Sequence, residues 1–417
     1  MNATDAVDAK DVVDVVALGE SMVTFLPTRP GRLADVPSFD RAIGGAESNV
    51  ACALAAAGHT VRWVSRVGAD GFGDHLVESV ASYGVDVSCV GRDPVRRTGV
   101  YFRTAGDRAT DAHEVAYYRA GSAASAMSAA TVDLAAARAG RILHLSGITA
   151  ALSEGCLGLL RELTAPAGVR PPLVSFDVNY RPGLWTGSGG AEVLLELARR
   201  ADIVFVGEDE AELAWGVAGG PTAVRELLPE PEVLVVKDGA KGATAFQRGG
   251  ADGSSAAGAW GLGAQFPAPL TGRSSAVSHT AAADSSRAAD SSGAADSLSC
   301  GGGTPRARVS ETPPPAPVPG TFEPALAVDV VATVGAGDAF AAGFLSGTLR
   351  GLPVRQRLRL GHLFAAAALT TPADLAPPPD RDTTDRLGAL DSTGWERLRL
   401  GPGWTQADAA EEEVRTP

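Results

Sequence analysis

The chain is poor in cysteine. It has four in 417 residues (Cys52, Cys89, Cys156 and Cys300) and no Cys-x-x-Cys pair. That excludes a disulfide framework or a zinc ribbon and suits a reducing, cytoplasmic compartment. Histidine is scarce as well. The six are isolated, with no metal-ligand spacing, and each reads as structural or exposed. No apolar run reaches the roughly 20 residues that a membrane helix needs. Residues 1–14 are acidic and lack the basic-then-apolar layout of a secretory leader. Basic charge is also short: the formal net charge is −13, which argues against nucleic acid as the partner. An acidic chain that binds anions must place its few cations locally, so single arginines matter.

Hydrophobic residues make up 45% of the chain, enough for a sizeable core. Length alone suggests two or three domains. That count is inflated by residues 249–320, which are Ala/Ser/Gly-rich and then Pro-rich (Pro313, Pro314, Pro315, Pro317, Pro319). This stretch carries too little apolar surface to offset its ordering entropy and is expected to be disordered. Structured patterning resumes at 325, so it reads as an insertion within one domain. Residues 371–417 read as a polar, Pro-rich extension with a frayed end.

Strands are expected over 12–18, 61–67, 142–146, 173–177, 203–206, 233–237 and 243–247. Helices are expected over 47–57, 74–83, 154–163, 191–200, 208–215, 339–349 and 354–369. Residues 21–41, 98–104 and 114–118 suit short extended segments. Strands alternating with helices imply parallel βαβ units and a three-layer α/β domain. Ligands in such sheets bind beyond the carboxyl ends of the strands. Asp177, Lys237 and Asp338 all fall at or just after expected strand ends.

The most informative stretch is Thr333-Val334-Gly335-Ala336-Gly337-Asp338. The apolar run 326–331 before it reads as a strand and the residues after it as a helix. Gly335 and Gly337 allow close backbone approach, and the first-turn N–H groups would form an anion site. Asp338 beside it is badly placed to bind phosphate and well placed to take a proton. Helix packing plus a helix cap would explain the same residues.

Further clusters are equally two-sided. Gly44-Gly45-Ala46-Glu47-Ser48-Asn49 opens a helix: Gly45 could let a sugar lie on backbone and Asn49 could bond a hydroxyl, or both could simply shape a turn. Asp177-Val178-Asn179-Tyr180-Arg181 groups polar residues at a strand end, as a site or a solvated loop. Tyr101 and the run Tyr117-Tyr118-Arg119 sit in extended segments, where Tyr117 and Arg119 share a face. Glu208-Asp209-Glu210 suits either the helix dipole or the waters of a magnesium ion. Lys237-Asp238-Gly239-Ala240-Lys241-Gly242 suits either a nucleotide or a hairpin.

Taken in order, these motifs resemble the ribokinase-like (PfkB) sugar kinases, over about 12–370 apart from the insertion. Within that family the likeness is to 2-keto-3-deoxygluconate kinases. It is carried by Tyr101, by the run Tyr117 to Ala123, by Leu143-His144-Leu145-Ser146-Gly147-Ile148 and by Asp177 to Arg181. The resemblance implies a large α/β/α sheet domain with a small β lid, built from about 21–41 and 98–118, that often pairs two subunits. It implies ATP and Mg²⁺, with Asp338 as base and Gly335, Ala336 and Gly337 as the anion hole. Gly45, Asn49, Tyr101, Tyr117, Arg119 and Arg181 would hold the sugar acid. Asn179, Lys237, Gly239 and Gly242 would line the nucleotide, and Glu210 would reach the metal through water. Two motif positions depart from the family: Gly207 replaces its Asn, and Ala332 replaces an Asp. The long insertion is a third departure. The expected reaction is phosphorylation of 2-keto-3-deoxygluconate on its primary hydroxyl. Alternatives are a kinase of a neutral sugar such as fructose, or a non-catalytic sugar sensor. A dinucleotide oxidoreductase fits poorly, because the turn lacks the third glycine and the later acidic residue of that fingerprint.

Overall fold

Short β-branched runs, buried on both faces, build the centre of the molecule. The computed structural model describes residues 12–104, 114–166, 172–185, 189–248, 319–373 and 375–405. In chain order the strands are β1 (Val13–Leu18), β2 (Met22–Pro27), β3 (Phe39–Gly44), β4 (Val61–Gly68), β5 (Val90–Asp93), β6 (Val100–Arg103) and β7 (Val115–Tyr118). They continue with β8 (Gly140–Ser146), β9 (Leu173–Asp177), β10 (Ile203–Gly207), β11 (Val233–Asp238), β12 (Gly242–Gln247) and β13 (Gly320–Pro324). A 9-stranded sheet runs β13-β12-β11-β10-β9-β8-β1-β4-β5. It is parallel from β5 to β11, and β12 and β13 add an antiparallel edge.

Alternate residues of each central strand feed opposite faces. Val15, Ala17, Val233 and Val235 enter one core with the helices Ala46–Ala56 and Ala336–Leu349. Val16, Leu18, Leu234 and Val236 enter the other with the helices Glu154–Leu163 and Gly190–Arg199. That double burial explains why β11 reads as an unbroken Val-Leu-Val-Val run. The result is the expected three-layer α/β arrangement.

A second, 4-stranded sheet runs β3-β2-β6-β7. One face is an aromatic cluster: Phe25 stacks on Phe102, and Phe39 and Tyr118 meet Phe102 edge-on. The other face carries Tyr101 and Tyr117, whose ring centroids lie 5.5 Å apart.

Two expectations are corrected. The helix expected from 74 begins at Gly71, because the Asp70 carboxylate accepts from the N–H groups of Phe72 and Gly73 and caps it. The apolar run 326–331 is not a strand of the main sheet. Only Ala327–Val328 is extended, paired with Arg399–Leu400. The sheet edge is already completed by β13, so Leu326, Val328 and Val330 line a cavity instead. Within the polar C-terminal extension, which the expected elements leave blank, two short helices form. The helices Arg381–Gly388 and Ser392–Arg397 bury Trp395 with Leu363 and Leu400, and the Trp395 indole donates to the Pro324 carbonyl at 2.9 Å. The disorder expected at 249–320 falls almost wholly outside the described residues, as does the fraying expected at 409–417. The flanks of the first are described: Phe246 pairs with Gly320 across β12 and β13.

Candidate active site

The carboxyl ends of β1, β9, β10 and β11 open toward the glycine turn before the helix Ala336–Leu349. Gly335 takes φ 79°, a left-handed conformation that glycine adopts without strain. The first backbone bond of that helix runs from Ala339 N–H to the Gly335 carbonyl. The N–H groups of Ala336, Gly337 and Asp338 precede it and stay available at the positive end of the helix. Lys237 comes to the same place from the end of β11: a Cβ on Gly337 would stand 3.7 Å from its Nζ. The Lys237 ammonium is 3.1 Å from an Asp177 oxygen, and β9 ends at that residue.

Asp338 lies in the first turn, and Asn49 Nδ2 donates to its Oδ2 at 2.9 Å. Burial pushes its carboxyl up to about 7, and neighbouring Asp177 adds to this. The Asn49 hydrogen bond and Lys237 pull the other way. A carboxyl that titrates near neutrality suits a general base. Asn49 thus holds this carboxyl, while its own Oδ1 is buried with no hydrogen-bond partner. Asn179 has φ 38°, unusual for a residue with a side chain, and its buried Oδ1 is also unpartnered. Strain and unmet polar atoms of this kind mark binding sites.

Two adjoining cavities bring every expected site residue together. One, of about 540 Å³, is lined by Gly45, Asn49, Tyr101, Tyr117, Arg119, Asn179 and Asp338, with Gly335 at its edge. The other, of about 680 Å³, is lined by Gly239, Gly242 and Ala336 and by the apolar side chains of Leu326, Val328, Phe340 and Leu369. Arg181, Glu210, Lys237 and Gly337 border both, where the two meet. Gly45 is required for close approach, since a Cβ there would sit 2.4 Å from the Glu20 carbonyl.

Glu210 fits a magnesium ion that keeps its waters. Its Oε2 accepts from Gly207 N–H at 2.9 Å, and burial raises its carboxyl pKa against the pull of Lys237. Among the described residues no cluster of three or more His, Cys, Asp or Glu side chains forms an all-protein metal cage. Magnesium seldom needs one where phosphates supply ligands.

One residue of the site escaped the sequence. Glu20, just past β1, is not among the residues expected in the site. Its side chain is buried, accepts from Ser122 Oγ at 2.7 Å and pairs with Arg119 Nη2. Arg119 is therefore not a free cation. The Arg181 side chain makes no salt bridge or side-chain hydrogen bond among the described residues, although its charge reaches the Glu210 carboxyl; its carbonyl accepts from Leu184 N–H. The available signal was the charged residue directly after a fully apolar strand.

Comparison with known proteins bears on the family and the fold. The pfkB family carbohydrate kinase profile matches residues 13–299 and 319–381. The chain is 33% identical over 245 residues to a 2-dehydro-3-deoxygluconokinase of Thermoproteus tenax, covering 58% of this chain and 74% of that one. To the Bacillus subtilis 2-dehydro-3-deoxygluconokinase it is 29% identical over 374 residues, covering 89% and 94%. It is 34% identical over 241 residues to Fructokinase-2 of Zea mays, covering 56% and 70%. A crystal structure of a PfkB protein from Polaromonas sp. JS666 superposes with a TM-score of 0.65 at 28% identity, over 91% of this chain and 100% of the other. A fructokinase from Xylella fastidiosa with bound ATP shares the fold, with a TM-score of 0.60 at 21% identity over 86% and 92%. The chain belongs to the pfkB family of carbohydrate kinases.

Proposed function

We propose that this sugar kinase transfers the γ-phosphoryl group of ATP to the primary hydroxyl of 2-keto-3-deoxygluconate. The observation that carries the choice of an acid is Arg181, a cation without an ion-pair partner among the described residues, bordering the cavity that holds Asp338. A carboxylate supplies what that guanidinium lacks. The two relatives named 2-dehydro-3-deoxygluconokinase support the same reading.

The sugar acid occupies the cavity beneath Tyr101 and Tyr117, and the nucleotide base occupies the apolar one. Lys237, Gly239, Gly242 and Asn179 serve the nucleotide. Asp338 takes the hydroxyl proton as that oxygen attacks the γ-phosphorus, and the bond to the ADP oxygen breaks. The N–H groups after Gly335, with Lys237, hold the transferring phosphoryl group. Magnesium, when bound, neutralises phosphate charge, and Glu210 holds its water shell. Positioning and charge neutralisation of this kind account for most of the catalysis of phosphoryl transfer. Residues 12–370 form the catalytic unit, with the small sheet as its lid. The aromatic outer face of that lid, where Tyr118 is 66% exposed, pairs two copies.

A neutral-sugar kinase is the second reading, favoured by the pairing of Arg119 with Glu20, which leaves one free cation rather than two. A panel of sugars and sugar acids assayed for ATP consumption separates them. Higher kcat/KM for 2-keto-3-deoxygluconate than for fructose is expected, and equal or reversed values replace the acid with the neutral sugar.

A further inference from the structure

Glu20 takes no part in the chemistry above, yet it lines the sugar-side cavity. It follows β1 of the main sheet, whereas Arg119 follows β7 of the small one. Their ion pair therefore bridges the two sheets across the cavity wall. The side chains are 1% and 11% exposed, so solvent screens the pair little. Oε1 of Glu20 accepts from Ser122 Oγ, and Gly99 lets the backbone close on it: a Cβ there would lie 3.2 Å away. Arg119 lies over the Tyr117 ring at 5.8 Å, and its buried Nε has no hydrogen-bond partner. The guanidinium is thus charge-compensated but not saturated as a donor.

We infer that Glu20 sets the acid-to-neutral preference of the enzyme by cancelling the charge of Arg119. Arg119 then donates hydrogen bonds to a hydroxyl or a carboxylate oxygen alike. The charge that distinguishes the two substrates comes from Arg181. Glu20 is a positioning and specificity residue, and this role rests on the assignment of the cavity to the sugar.

Glu20→Gln keeps the volume and an acceptor for Ser122 but removes the negative charge. The ratio of kcat/KM for 2-keto-3-deoxygluconate to that for fructose should rise about tenfold or more, because one buried-edge cation becomes uncompensated. The double variant Glu20→Gln, Arg119→Met removes the pair as a neutral unit. Its ratio should stay within about threefold of wild type, whatever happens to kcat, because Arg181 remains. Ligand-induced shifts in Tm without ATP should rank the variants in the same order with no turnover involved. A ratio that is unchanged or lower in Glu20→Gln overturns the inference, since a purely structural role would harm both substrates equally. So does a tenfold loss of acid preference in the double variant, which would make Arg119 the partner of the carboxylate. If Glu20→Gln fails to fold, the double variant decides alone. The wild-type ratio tests the proposed substrate separately, and the change between variants is read on whichever acid and neutral sugar the wild type accepts.

Discussion

Asp338 is asked to be buried and to be a base. Burial holds its proton more tightly in the folded chain than in the unfolded one, from an ordinary 3.8 up to about 7. Ionising it therefore costs stability. The cost is absent below about pH 4, grows between 4 and 7, and is complete above 7. Asp338→Asn should cut turnover by ~10²–10⁴-fold while leaving nucleotide binding intact. The same variant should raise Tm, and by more at pH 8 than at pH 5, with about 4 kcal/mol as the ceiling from the shift. Near-normal turnover, or a Tm gain that grows toward acid pH, would remove Asp338 from the base role. Wild-type kcat/KM should rise about tenfold per pH unit below 7 and then level off, as expected for a required carboxylate. The glycine turn and its Asp were legible in the sequence because they are local: two glycines and an Asp within four residues. The partner of that Asp was not. Asn49 lies 289 positions away, and only folding shows that its Nδ2 donates to Asp338. Glu20 was missed for the same reason, since its partner Arg119 comes from a different sheet.

At the scale of elements, the anion turn depends on how the helix Ala336–Leu349 seats on the helix Val354–Leu369. The contact is backbone to backbone. A Cβ on Gly343 would stand 2.3 Å from the Leu360 carbonyl oxygen, and one on Gly361 would stand 2.9 Å from the Phe340 ring. Gly343→Ala must push the helices apart. It should destabilise the fold by ~1–3 kcal/mol, the usual cost of overpacking, despite the better helix propensity of alanine. Because the displaced helix carries Asp338 and the Gly335 turn, kcat should fall as well. Chemical denaturation and kinetics on one preparation check both; a variant as stable and active as wild type would mean that the helices are free to move. Elements of this kind were legible where apolar period and length agreed, as in β11 and the helix Val354–Leu369. The run 326–331 was misread because Leu326, Val328 and Val330 line a cavity, and periodicity cannot tell a cavity wall from a core. The helices around Trp395 were missed because they are short and polar, held by Asp380 and Asp391 caps and one buried indole.

Over the whole molecule, the catalytic architecture must be independent of the 249–318 stretch if its two ends are already neighbours. They are: β12 runs out to Gln247, β13 begins at Gly320, and Phe246 pairs with Gly320. An antiparallel pair of this kind can be closed by a turn of a few residues. Both strands are fixed by other contacts. Glu323 on β13 is buried and accepts from Arg355 at 2.8 Å and Arg359 at 2.7 Å, and the His362 ring is bonded to its carbonyl. Gly242 on β12 closes on the same strand and lines the apolar cavity. The register of β12 and β13 is therefore held by contacts among the described residues. The entropy of closing a loop grows only logarithmically, by about 0.6 kcal/mol per doubling of length, so shortening the connection stabilises slightly if at all. Replacing 249–318 with a Gly/Ser turn of four to six residues, about the length of an ordinary hairpin loop, should leave Tm unchanged or raised by a few degrees. KM for ATP should stay within about twofold, since β12 and β13 keep their register. A shortened protein that unfolds, or that turns over normally with a tenfold higher KM for ATP, would show that the segment packs on the nucleotide side of the domain and contributes to the site.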